Sequence, residues 1–276
     1  MPSVANPRKY AGIQVRMAEQ EESAVVRRPT AHEIFDAVVE NAREEVHRSA
    51  STLMFSGVAG GITLGLTGLA VACLRSILGP GSWQELVAYM MYPTGFIAVI
   101  IARQQLFTEN TLYPVILVLD EHHYLVRTLR LWGLVFVSNI IGAWFFALLA
   151  IWSGALRPEI ASELIKLGTE AVKQNASHLF WSGVIGGWII ALVAWIVTAS
   201  RFTIGQVVMI WLLTFVVGIG RFAHCVATSS EILSAVTSGV VRPLAYLQWL
   251  WPATLGNIVG GVVIVSMLNY GQVRAD

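Results

Sequence analysis

The stretch ARQQLFTENT, residues 102–111, stands between two apolar runs, LVAYMMYPTGFIAVII (86–101) and LYPVILVL (112–119). Both flanks have the composition of a membrane-spanning helix, yet the middle holds Arg103, Gln104, Gln105, Glu109 and Asn110. Irregular backbone is tolerated at membrane depth only where protein buries it or a water-filled cavity is lined by it. The stretch therefore reads as a break within a span.

The composition agrees with a membrane setting. The chain has 276 residues, of which 55% are hydrophobic and 13% charged, with a mean hydropathy of +0.65. A soluble domain carries about 25% charged residues. A helical crossing takes about 20 apolar residues. Candidate runs lie at 52–74, 86–118 (interrupted), 131–153, 179–199, 204–237 (interrupted) and 249–268. They do not alternate as the roughly ten-residue strands of a membrane barrel do. The expected class is an all-α integral membrane protein with six transmembrane helices, the second and fifth interrupted.

The formal net charge of +1 and the lack of a basic tract give no reason to expect a nucleic-acid partner. Cys73 and Cys225 fall in predicted spans, where free thiols behave as small apolar side chains. HEIFD at 32–36 fails the HExxH pattern of zinc enzymes and lies outside the spans, and no paired membrane aspartates occur. No enzyme, metal or cofactor is expected. Residues 1–50 are charged and polar, without the short apolar core of a secretory signal.

Residues 1–29 read as a flexible cytoplasmic arm. Residues 30–50 read as an amphipathic helix, with Thr30 and Glu33 forming a capping box ahead of Ile34, Val38, Val39 and Val46. Two three-helix units at 51–153 and 179–270 follow, joined by an extracytoplasmic connector at 154–178 and closed by a cytoplasmic tail at 271–276. Basic residues near span ends favour the cytoplasm. Arg27, Arg28, Arg43, Arg48, Arg127, Arg130, Arg201 and Arg274 lie on the side of both termini. On the other side are Arg75, Arg242 and a connector whose Arg157, Lys166 and Lys173 are offset by Glu159, Glu163 and Glu170.

The two units repeat one another. FSGVAGG (55–61) reappears as WSGVIGG (181–187), and SNIIGAWFFALL (138–149) as GNIVGGVVIVSM (256–267), the latter at an offset of 118. The same offset places Arg103 on Arg221 and one interrupted span on the other. Each unit has an odd number of crossings, so the halves are expected to be inverted. Inverted repeats with broken helices point to a permeation site near the midplane. Glycines 57, 61 and 65, echoed by 183 and 187, allow close helix packing.

The second break is GRFAHCVATSSE (220–231), with Arg221, His224, Thr228 and Glu231. His224 is the only histidine inside a predicted span. An ionisable side chain there marks a functional position, and imidazole titrates near neutrality, so it could lend a proton to a weak acid in transit. Free amides of half-helix ends attract anions. The charges of the two breaks are expected to neutralise each other, with Arg103 or Arg221 paired to Glu109 or Glu231.

These residues resemble the formate/nitrite transporter family. LFTEN (106–110) is similar to that family's LFTGN, AHCVAT (223–228) to its EHSxAN segment, and YPTGF (92–96) and LGNIVGG (255–261) also match. The resemblance covers about residues 30–270 and implies the aquaporin-like inverted-repeat fold of that family. It implies a pentamer in the bacterial inner membrane, each protomer with a pore for a small monovalent anion or weak acid. By position, His224 falls on the central pore histidine and Thr108 on the threonine facing it. Tyr92, Phe96 and Val217 fall on constriction positions. Phe107 and Thr228, within the two motifs, join the pore set, and Lys173 corresponds to a basic residue that attracts anions. Glu109, Ala223 and Thr228 replace the family's glycine, acidic residue and asparagine, and Arg103, Arg221 and Glu231 add charge. An aquaporin-like neutral-solute pore lacks support, since the paired Asn-Pro-Ala motifs are missing. The extra charges motivate an alternative: a non-conducting scaffold or sensor whose pore is closed by ion pairs.

Overall fold

In a computed structural model, residues 27–275 are described, so most of the arm expected at 1–29 lies outside the described residues. Helix α1 (Ala31–His47) starts at the Thr30–Glu33 capping box and buries Phe35, Val38, Ala42 and Val46 along one face. The first span is two helices, α2 (Ala50–Leu64) and α3 (Leu66–Leu78), meeting at Gly65. The second is α4 (Ser82–Tyr89) and α5 (Pro93–Ile101), then the break, a single 3-10 turn at Glu109–Thr111, and α6 (Tyr113–Asp120), which packs on α1. Helix α7 (Leu125–Trp152) packs on α2.

The connector at 154–178 is not irregular: it carries α8 (Pro158–Ala171), with Pro158 in its first turn and Ile160, Leu164, Leu167 and Gly168 on its buried face. The second unit has α9 (Ala176–Ala199), α10 (Thr203–Ile219), the second break, and α11 (Ala227–Thr237). Its last helix runs as α12 (Pro243–Val259), a π-helical stretch (Gly260–Met267) and α13 (Leu268–Arg274).

Among the described residues there is no strand, and five helical stretches are long and apolar enough to cross a membrane: Ala50–Leu78, Ser82–Ile101, His122–Trp152, Ala176–Ala199 and Pro243–Arg274. The fifth run, expected at 204–237, is divided. Its apolar helix α10 has 17 residues because the chain turns at Gly220 and Arg221. At 1.5 Å per residue it is about 25 Å long, short of the roughly 30 Å hydrocarbon core. The outer surface is apolar, with Phe55, Trp144, Leu149, Trp181, Leu212 and Leu255 exposed.

One asparagine holds each break. Asn139 Nδ2 donates to the carbonyls of Gly57 (2.8 Å) and Gln105 (2.9 Å), while its Oδ1 accepts from Phe107 N–H (2.9 Å). Asn257 Nδ2 donates to the carbonyls of Gly183 (2.8 Å) and Ala223 (2.9 Å), and its Oδ1 accepts from Cys225 N–H (2.8 Å). Ser56 and Ser182 hydroxyls accept the next free amides, from Gln105 (3.0 Å) and Ala223 (2.9 Å). Gly61 and Gly187 let the asparagine-bearing helices approach: a Cβ on Gly187 would overlap the Asn257 carbonyl, and one on Gly61 the Asn139 carbonyl.

Both asparagines are fully buried. Asn257→Ala leaves two carbonyls and an amide without partners and should destabilise the fold by about 2–4 kcal/mol. Thermal unfolding in detergent measures this. An Asn257→Ala protein that melts with the native one removes the asparagine from this role.

Candidate permeation site

The two breaks meet at Thr108 and His224. Both side chains are fully buried, and Thr108 Oγ1 lies 2.8 Å from His224 Nε2. The other ring nitrogen, Nδ1, accepts from the amides of Val226 (3.3 Å) and Ala227 (3.0 Å) at the start of α11. A nitrogen accepting from backbone amides carries no proton, which assigns the neutral tautomer with hydrogen on Nε2 and makes Thr108 the acceptor. Thr111 in turn donates to the Thr108 carbonyl (2.7 Å), fixing the turn.

An aromatic file leads to the histidine. Tyr89 and Tyr92 centroids are 6.2 Å apart, Tyr92 and Phe96 are 5.7 Å apart, and Phe96 meets His224 edge-on at 5.0 Å. Tyr92 and Thr228 line the same cavity. The file opens on a cavity of about 80 Å³ lined by Tyr89, Tyr92, Val217, Arg221, Thr228 and Glu231, beside the connector helix. A second cavity, of about 290 Å³, lies by α1 and is lined by Glu45, Arg103, Gln104, Gln105, Glu109 and Tyr113. The first span runs from Ala50, just after α1, to Leu78 beyond Arg75, so the cavities lie toward opposite ends of that span.

The structure thus brings His224, Thr108, Tyr92 and Phe96 into one line, with Val217 and Thr228 beside it. Phe107 lies elsewhere: its ring packs on Trp132 and Phe136 of α7, at 5.7 and 4.9 Å, and lines neither cavity. Lys173 is exposed in a neighbouring hollow with Lys166 and Glu170.

The expected ion pairs are not those that form. No ion pair joins Arg103 or Arg221 to Glu109 or Glu231. Instead Arg221 bonds Glu85 (2.9 Å) and Glu170 (3.1 Å). Arg75 bonds Glu85 (2.6 Å) and lies 3.6 Å from the Glu170 carboxylate. The reason is in the backbone. Arg103 and Arg221 have φ of 53° and 50°, the left-handed conformation that ends helices α5 and α10. Both side chains are exposed at the cavity mouths, while Glu109 sits in the 3-10 turn and Glu231 in the second turn of α11.

Some participants are not singled out by sequence. Arg75 and Glu85 look like ordinary charges at span ends, and Glu170 like a counter-charge to Lys173. Ser56 and Ser182 had a signal, since both lie inside the repeated Ser-Gly-Val segments. Near α1, Gln105 Nε2 donates to Glu45 (2.5 Å) and accepts at Oε1 from Asn110 (2.9 Å), tying the amphipathic helix to the first break. Burial holds the Glu45 carboxyl above its usual range, although Arg48 lies 3.2 Å away.

Comparison with known proteins places this arrangement. Residues 32–271 match the formate/nitrite transporter family. The inner membrane protein YfdC of Escherichia coli (strain K12) is 33% identical over 255 residues, 88% of this chain and 79% of the relative. A probable formate transporter of Methanothermobacter thermautotrophicus is 32% identical over 209 residues, 69% of this chain and 76% of the relative. Among solved structures, an FNT family ion channel superposes with a TM-score of 0.79 at 22% identity, covering 89% of this chain and 99% of that one. A pentameric formate channel with formate bound gives 0.69 at 18% identity, covering 82% and 98%. The match across nearly the whole described chain, with both broken helices inside it, establishes that this chain belongs to the formate/nitrite transporter family of membrane transport proteins.

Proposed function

We propose that the chain is a channel or secondary transporter for small monovalent anions of the formate/nitrite class, or their conjugate acids, with His224 at the pore waist. The observation that carries this reading is the buried Thr108–His224 pair at the meeting of two breaks, between two cavities that each hold charged side chains. An anion crossing the aromatic file would lose its hydration without a compensating charge, whereas the neutral acid crosses far more cheaply.

In the geometry described, the imidazole is neutral and donates from Nε2. A passing carboxylate or nitrite oxygen can take the place of Thr108 as acceptor. Proton delivery needs one further step: Nδ1 must leave the Val226 and Ala227 amides and take a proton. The imidazolium then passes Nε2–H to the anion, and the proton kept on Nδ1 leaves the ring neutral. We place six crossings in two inverted units, with α10, the second break and α11 counted as the fifth, both termini cytoplasmic, and a pentamer as the assembly. The odd number of segments per unit, the twin asparagine clasps and the pentameric relative support this placement. Lys173, exposed in the connector hollow beside Glu170, is the basic residue assigned to draw anions toward that mouth.

A second reading is a non-conducting scaffold or sensor of the same fold. The ion-paired cluster of Arg75, Glu85, Glu170 and Arg221 at one mouth favours it.

Proteoliposomes carrying the purified protein should take up formate or nitrite faster as external pH falls. His224→Ala should reduce that uptake by about 100-fold, the low end for loss of a positioned proton donor. Native uptake retained in His224→Ala removes the histidine from the mechanism, and no uptake of any small anion by the native protein favours the scaffold. For topology, Ser162→Cys on the connector should react with an impermeant maleimide in whole cells. His123→Cys should react only after permeabilisation, and the reverse pattern would invert the assigned orientation.

A further inference from the structure

The cluster at the mouth of the smaller cavity is built unevenly. Glu85 lies in the first turn of α4, where the helix dipole favours a carboxylate, and it bonds both Arg75 and Arg221. Glu170 is the penultimate residue of α8, where the dipole disfavours a carboxylate, and no basic residue occupies that last turn. Its side chain is 42% exposed, against 30% for Glu85 and 7% for Arg75. A single Glu170 oxygen serves both arginines, at 3.1 Å from Arg221 and 3.6 Å from Arg75. The two guanidinium carbons stand over the Tyr89 ring, each 5.7 Å from its centroid, so neither arginine depends on Glu170 alone for its position.

We propose that Arg75, Arg221 and Tyr89 form a docking site for a small monoanion, a carboxylate or nitrite-like oxyanion, and that Glu170 is its tethered occupant. The proposal deepens the pore reading above and rests on it. With Glu170 in place, two arginines face two carboxylates and the mouth offers an incoming anion nothing. With Glu170 displaced, Glu85 is the one carboxylate left in ion-pair contact with the two arginines, and the +1 charge of that ion-paired set suits one monoanion. The connector helix thus competes with substrate, and binding is weakened by the fraction of time the site stands open. Glu231, lining the same cavity, offers an anion released from the arginines no favourable partner deeper in.

The test uses the full-length protein in proteoliposomes, with sodium formate as the probe. Glu170→Gln, confirmed by size-exclusion chromatography to assemble like the native protein, should raise initial uptake at low formate by about tenfold. The gain should shrink as formate saturates, because affinity and not pore capacity has changed. Adding Arg221→Gln to Glu170→Gln should abolish the gain. Uptake present in Glu170→Gln but absent from the native protein also supports the site. Equal low-formate uptake by native and Glu170→Gln proteins, alongside loss in His224→Ala, overturns the docking site and leaves the pore reading standing. So does a gain that survives in Glu170→Gln/Arg221→Gln. Absence of uptake from native and Glu170→Gln proteins alike overturns both.

Discussion

A helix interrupted inside a membrane exposes amides and carbonyls where no water can satisfy them, and each costs several kcal/mol if left bare. The centre of this chain follows from the way two asparagines meet that constraint. Asn139 and Asn257 each engage two carbonyls and one amide, so each break is stitched at once to its own unit's first and third helices. With the backbone satisfied from behind, the breaks are free to turn Thr108 and His224 toward each other. The polar contact at the centre is therefore a product of the scaffold, and the histidine's tautomer is set by the amides of the half-helix that follows it.

The charges obey a different logic. A charge pair taken out of water is stable only with good geometry and several partners, and stranding one member costs about 3–5 kcal/mol. Arg75, 7% exposed, meets that condition with Glu85, Glu170 and the Tyr89 ring. Arg103 and Arg221 occupy matching positions, yet only Arg221 has carboxylates in ion-pair contact. The two mouths are thus unlike: one is lined by a salt-bridged cluster beside the connector, while the other is a wider polar chamber against the amphipathic helix.

The helical membrane class and the family were legible in the sequence, because apolar runs, repeated Ser-Gly-Val and Asn-Ile-x-Gly segments and LFTEN are local patterns. The facing of Thr108 and His224 came only with the family resemblance, and the long-range ion pairs that no motif carries could not be read. Arg221 finds Glu85 across 136 residues and Glu170 across 51, and no spacing rule links them. Phe107 stood beside Thr108 in the motif, but the two side chains leave the turn on different sides, and the Phe107 ring went to α7. The connector helix was within reach, since Ile160, Leu164 and Leu167 carry helical spacing behind Pro158; the neighbouring charges hid it. Left-handed φ at two arginines has no compositional signal, because glycine or asparagine is the usual residue there.

The last helix departs from its counterpart α7 in carrying Pro252 and a π-helical stretch, Gly260–Met267. Within it Ser266 donates to the carbonyl of Thr111 (2.8 Å), 155 residues earlier, and Gly261 abuts the Thr111 side chain. The turn that carries Thr108, in the first unit, is therefore finished by a segment of the second. A chain cut in the connector would give two pieces that mature only by finding each other, however much each half resembles a small domain.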